Sequence, residues 1–163
     1  MSQDQPARAA ALIGYPISPS LAVSIAVFRS GLVLLGRRAK PPFAGALSLP
    51  GGLVEIGERL EEAVLRELRE ETRVEARIVA FNRHLQVIDL DDDDRVRHHS
   101  VIVSFAGEWI GGEAKASSDI SEIEWVNPSK LGMLDCTPQL GCVVLAAKRL
   151  IYSCCREPFL REL

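Results

Sequence analysis

Cysteine is scarce in this 163-residue chain and comes late: Cys136, Cys142, Cys154 and Cys155 all lie near the end, with no CxxC spacing. That distribution gives neither a disulfide framework nor a zinc site, so reduced thiols with structural roles in a cytoplasmic protein are expected. Long hydrophobic runs are missing as well. The longest, Leu21–Phe28 and Cys142–Ala147, fall far short of the ~20 apolar residues that span a bilayer. The N-terminus lacks a basic start, and Pro16 and Pro19 interrupt any signal-like apolar core. No large excess of either charge exists: the net charge is −3 and the pI about 5.7. Neither bulk nucleic acid nor an anionic membrane surface has an electrostatic reason to bind. Internal repeats and linkers are also absent. What remains is 47% hydrophobic and 25% charged, the composition of an ordinary soluble domain with a real core. The expected organisation is a flexible tail over 1–20, one domain over 21–155, and a short tail over 156–163.

Alternation marks the strands. Leu21, Val23, Ile25 and Val27 read as the inner face of one, and Ser30-Gly31 turns into Leu32–Leu35. An irregular stretch from Arg37 to Ala46 follows. Further on, Val79, Phe81, Leu85 and Val87 alternate, as do Val101, Val103 and Phe105, while Ile123 and Trp125 mark a short strand. Asn127-Pro128 and Thr137-Pro138 each offer a capping side chain and then proline at the first helical position. The last helix is expected from about Pro138 to Tyr152. Strands before and after a central helix, closed by another helix, predict a mixed β-sheet between helical layers.

The central helix carries the chemistry. Residues 52–74 read GLVEIGERLEEAVLRELREETRV. Glu67, Glu70 and Glu71 stand at i, i+3 and i+4, on one helix face within reach of a shared ligand. Like charges at that spacing repel, and a hard divalent cation between them reverses the sign. Helical phase places Glu67 and Glu71 with Leu60, Ala63, Val64 and Val74, and puts Glu62, Arg66, Arg69 and Arg73 on the solvent side. Carboxylates inside an apolar arc need partners, and a metal is an economical one. Ahead of the helix, Leu47-Ser48-Leu49-Pro50-Gly51-Gly52 reads as a strand stopped at proline and turned through two glycines.

Gly52, Glu58, Arg66-Glu67-Leu68-Arg69-Glu70-Glu71 and Val74 together resemble the Nudix box, the signature of hydrolases that cut nucleoside diphosphates linked to another group. One defining position departs: Arg73 stands where the family has glycine, which at a helix end adopts the left-handed conformation freely. The resemblance covers about residues 21 to 150. It implies an α/β/α sandwich and Mg²⁺, for which Mn²⁺ may substitute, held by Gly51, Glu67, Glu70 and Glu71. It also implies a role for Arg66 in orienting a metal-binding acid.

The same resemblance implies one more acid from a loop before the last short strand, as metal ligand or general base; Asp119 and Glu122 are placed for it, and Glu67 is the other candidate base. Arg37, Arg38 and Lys40 precede the glycine turn and read equally as contacts for substrate phosphates, along with Gly52 and Asp119, or as surface charge. The run Asp89, Asp91–Asp94 lacks the glycine and twelfth-position glutamate of a calcium loop and reads as a solvated hairpin tip. His98 and His99 read as hydrogen-bonded structural residues, Trp125 as core, and Phe43 as a weak candidate for stacking on a base. The implied reaction is metal-dependent hydrolysis of the diphosphate linkage in a small nucleotide, ADP-ribose-like substrates favoured. The alternatives are pyrophosphate release from a nucleoside triphosphate and, less favoured, a non-catalytic nucleotide-sugar sensor. Monomer and homodimer are both open.

Overall fold

The computed structural model describes residues 15–41, 43–117 and 120–154. Its central strand, β1 (Ser20–Arg29), is buried without a break from Ala22 to Phe28. An alternating strand covered on one face would leave every second residue wet. Here both faces are covered, so the one-sided pattern expected for Leu21–Val27 is corrected: Leu21 itself is exposed, and Ser24, Ala26 and Phe28 are buried on the opposite face.

The other strands are β2 (Leu32–Arg38), β3 (Leu47–Ser48), β4 (Gly51–Leu53), β5 (Glu75–Leu90), β6 (Val96–Gly111) and β7 (Ile120–Val126). The sheet runs β3-β2-β1-β6-β5, with β4 paired to β1 and β7 to β2. β1 and β6 are parallel, and the other named pairs are antiparallel. The sheet is therefore mixed. Two helices close it, α1 (Leu60–Thr72) and α2 (Leu140–Cys154). Val23, Ile25, Val27 and Leu34 pack with Ala63, Val64 and Leu68 of α1. Ala26, Phe28, Val33 and Leu35 pack with Val144, Ala147 and Ile151 of α2. Each such aliphatic side chain contributes about 1.5–3 kcal/mol when fully buried, which is why alternate residues of β1 specify two cores at once. The acidic run forms the tip between β5 and β6, where Asp91 accepts the backbone N–H groups of Asp93 and Arg95 at 2.9 Å.

Asn127 caps as expected, accepting the Ser129 N–H at 3.0 Å, but the segment Pro128–Met133 winds as a 3₁₀ helix. Thr137-Pro138 does not start α2. Gln139 has φ 67°, a left-handed value that no helix can pass through, so α2 begins one residue later.

Arg73 ends α1 by taking the glycine geometry itself. It sits at φ 61°, ψ 13°, with its N–H on the Arg69 carbonyl at 3.0 Å. Thr72 assists, donating to the Leu68 carbonyl at 2.6 Å and accepting the Val74 N–H at 3.2 Å. The fold thus tolerates arginine here at a cost of about 1 kcal/mol in backbone strain. Arg73→Gly is expected to raise the melting temperature by roughly 2–4 °C without altering the far-UV spectrum, as a paired thermal melt will read.

Candidate active site

Local sequence sets the site. Pro50 and two glycines let β4 run close against β1, with Gly51 opposite Ser24 and Gly52 opposite Val23. The chain then crosses to α1, whose first turn is held by the Glu62 carboxylate accepting the Arg59 N–H at 3.2 Å. This route brings the helix alongside the glycine turn.

Two carboxylates converge there. Glu71 Oε2 accepts the Gly51 N–H at 2.9 Å. Glu67 lies over Gly52 so closely that a Cβ on Gly52 would stand 2.4 Å from its carboxyl carbon. The Glu67 side chain is only 17% exposed, whereas that of Glu70 is 62% exposed. Phase groups Glu67 with the apolar arc, and its low exposure agrees.

Arg66 does not point to solvent as its phase suggested; its side chain is only 26% exposed. Its guanidinium grips Glu58 with two parallel bonds, Nε to Oε1 at 2.8 Å and Nη2 to Oε2 at 2.9 Å. It also donates to Glu67 at 2.8 Å, to the Leu53 carbonyl at 3.1 Å and to Glu70 at 3.4 Å. The reason is the preceding loop, which folds back over α1 and supplies acceptors that helical phase knows nothing about. A fork this fully engaged fixes Glu67 far better than a solvated ion pair would.

Glu58, a position of the motif, acts as the partner of the Arg66 fork. It also accepts the Glu55 N–H at 3.1 Å. The Arg66 bonds, and secondarily that backbone N–H, pull its carboxyl from 4.5 down to about 2, and they hold the Arg66 guanidinium well above its ordinary value. A carboxyl with a depressed folded-state pKa stabilises the fold fully above its unfolded pKa and loses that contribution as pH falls through the folded one. Thermal melts should therefore show a stability loss between about pH 4.5 and pH 2. Glu58→Gln is expected to flatten that segment and to be less stable than the native chain at pH 7.

The remaining candidates separate. Arg37 and Glu122 face each other across β2 and β7 and bond at 2.9 Å, while Arg37 also donates to the Gly45 carbonyl at 2.7 Å and approaches Glu124 at 3.6 Å. Arg38 follows on β2 and is engaged in interactions of its own. Asp119 lies outside the described residues. Phe43 is exposed in its loop, and Trp125 packs beside the α1 core under Arg29. His98 is hydrogen-bonded to Ser100 at 2.8 Å as expected; His99 departs from that expectation, its Nε2 being buried without a partner.

The donor set suits a hard divalent ion. Glu67 and Glu71 bring carboxylate oxygens to it. Among the described residues no three His, Cys, Asp or Glu side chains are grouped closely enough to hold an ion by themselves. Mg²⁺ fits such a place because it keeps several waters and takes few protein ligands.

Comparison with known proteins agrees in kind. A model of the NUDIX domain matches residues 18–143. The chain is 37% identical over 118 residues to an ADP-ribose pyrophosphatase of Methanocaldococcus jannaschii, covering 72% of this chain and 68% of that one. It is 34% identical over 136 residues to an RNA pyrophosphohydrolase of Novosphingobium aromaticivorans, covering 74% and 84%. The crystal structure of a MutT NUDIX hydrolase from Burkholderia pseudomallei superimposes with a TM-score of 0.70 at 24% identity, over 79% of this chain and 98% of that one.

Proposed function

The chain belongs to the Nudix family of pyrophosphohydrolases, which act on nucleotide derivatives, and from that premise we propose that it cleaves the diphosphate linkage of an ADP-ribose-like substrate with Mg²⁺. The observation that carries this reading is the convergence of Glu67 and Glu71 on the Gly51-Gly52 turn under the Arg66 fork. The substrate preference rests on the similarity to the Methanocaldococcus enzyme.

Glu67, Glu71 and the Gly51 carbonyl would hold the ion, with Glu70 completing the set from the solvent side; Mn²⁺ can replace Mg²⁺. When bound, such an ion neutralises charge on the diphosphate bridge and lowers the pKa of an attacking water. Arg66 keeps Glu67 in one orientation, so the carboxylate need not reorganise during reaction. Proton acceptance falls to Glu67, Asp119 or Glu122. Arg37 holds Glu122 in an exposed ion pair, so a substrate phosphate and Glu122 would compete for the same guanidinium. Arg38 and Gly52 would add further substrate contacts.

Hydrolysis of a panel of ADP-ribose, NADH, a dinucleoside polyphosphate, deoxynucleoside triphosphates and 8-oxo-dGTP tests this, run with Mg²⁺ and with chelator. Metal-dependent formation of AMP and ribose 5-phosphate from ADP-ribose is expected. Release of pyrophosphate and a monophosphate from a triphosphate, with ADP-ribose untouched, would replace this substrate by the triphosphate alternative.

A further inference from the structure

The register of the sheet aligns four residues in one row: Gly51 on β4 faces Ser24 on β1, Ser24 faces Ser104 on β6, and Ser104 faces Arg83 on β5. Neighbouring strands lie about 4.8 Å apart, so the row runs roughly 14 Å from the glycine turn to the Arg83 backbone. Ser24 alternates with Val23 and Ile25, which face α1, and so belongs to the α2 side with its row partners. Gly51, whose N–H reaches Glu71 from α1, and Arg83 are thus opposite ends of one row of the sheet, with the short buried side chains of Ser24 and Ser104 between them on the α2 side.

That row carries polar atoms without partners. Arg83 Nε, Asn82 Oδ1 and Ser104 Oγ are all buried and make no hydrogen bond. Ser104 is fully buried. Among the described residues no carboxylate pairs with Arg83. Asn82 Nδ2 donates to the Val143 carbonyl of α2 at 3.0 Å, which fixes the amide orientation and leaves Oδ1 as an unfilled acceptor. A register shift between Phe81 and Arg83 explains how two consecutive residues serve the same side, since a bulge re-aims side chains. Three unpartnered polar atoms gathered in a single bulge and the strand opposite are costly unless something fills them.

We propose that Arg83, with Asn82 and Ser104, is a substrate-recognition residue that reads the edge of the nucleobase whose phosphates lie at the Gly51-Gly52 turn. A second phosphate is the poorer occupant. Phosphate offers acceptors only and would set an anion against Asn82 Oδ1, whereas a base edge offers an acceptor for Arg83 beside a donor for Asn82. The proposal rests on the hydrolase reading for the position of the phosphates and adds where selectivity between bases resides.

The test is binding of nucleoside 5′-monophosphates (AMP, GMP, CMP, UMP) and of ribose 5-phosphate as a baseless control, by calorimetry with Mg²⁺, to the native chain and to Arg83→Leu and Arg83→Lys. The native chain is expected to prefer one base by about tenfold or more. Both variants should bring that preference within about twofold, Lys because it lacks the planar fork, and both should bind ribose 5-phosphate unchanged. In turnover the variants should raise KM for the preferred nucleotide with kcat little altered. Equal affinity of the native chain for all bases, a preference kept in both variants, or a matching loss for ribose 5-phosphate each overturns the proposal. If Arg83→Leu does not fold, Arg83→Lys decides. Base-selective binding without any turnover would instead count against the hydrolase reading, and turnover without base selectivity against Arg83 alone.

Discussion

Glu71→Gln is expected to lower kcat/KM by at least about 10³-fold, equivalent to roughly 4 kcal/mol of lost transition-state stabilisation, while the chain remains folded. Glutamine keeps the shape and an acceptor for the Gly51 N–H, which lies 2.9 Å from the carboxylate. It removes the charge that would hold the ion. Stability should not fall, because Glu67, Glu70 and Glu71 stand at repelling spacings, and one fewer anion relieves a few tenths of a kcal/mol. Glu67→Gln should behave alike, with part of its effect arriving through Arg66. The decisive comparison is turnover against Mg²⁺ concentration beside a thermal melt. Full activity of Glu71→Gln at ordinary Mg²⁺ would sink the assignment of this carboxylate to the metal.

Gly51 and Gly52 are neighbours whose replacement by alanine should fail in opposite ways. A Cβ on Gly52 would stand 2.4 Å from the Glu67 carboxyl carbon, and its nearest contacts are all atoms of that side chain. A side chain can swing away, so the fold survives and the carboxylate moves. Gly52→Ala is expected to reduce kcat/KM about 10²-fold, the scale of a misplacement near 1 Å, with a melting temperature close to native. A Cβ on Gly51 would stand 2.1 Å from the Val23 carbonyl oxygen and 2.7 Å from the Ser24 Cα. Backbone in the central strand cannot yield, so Gly51→Ala should cost about 1–3 kcal/mol and lower the melting temperature by several degrees. If Gly52→Ala retained native activity, the close approach of Gly52 would have no part in placing Glu67.

Why some of this could be read from sequence and some could not follows from the range of each interaction. The glutamate spacing and the alternating strands are local patterns, and they located α1 and most of the sheet, but Gly51 and Gly52, read as a turn, begin the strand β4 because they pair with β1. Phase along one helix also sorted buried from exposed carboxylates. It misplaced Arg66 because the acceptors that bend its side chain inward, Glu58 and the Leu53 carbonyl, come from the end of β4 and the loop after it, whose path depends on the whole fold. Glu58 was visible as a motif position, but its purpose depends on that same contact. Gln139 illustrates the opposite failure. Thr-Pro is a sound helix-start signal, and a left-handed residue after it overrides the signal through chain geometry that no local preference announces. Arg83 gave no signal, since one arginine in an alternating strand looks like any other; only the register through Ser104 and Ser24 ties it to Gly51.

The parallel pairing of β1 with β6 also dictates how the chain reaches its native state. Ser20 bonds to Ser100, 80 positions away, and the same separation holds along the whole pair. One edge of the strand buried on both faces can pair with β2 and β4 early, but its other edge has to await β6. Closing so long a loop costs entropy before any contact rewards it, and topologies dominated by distant contacts fold slowly. The β5–β6 hairpin, closed by a short turn at Asp91–Asp94, can form on its own and present an edge. During synthesis β1 emerges long before that edge exists, with one side of an apolar strand lacking its β6 partner. A chain stalled before β6 is therefore expected to leave one edge of β1 unpaired and prone to association.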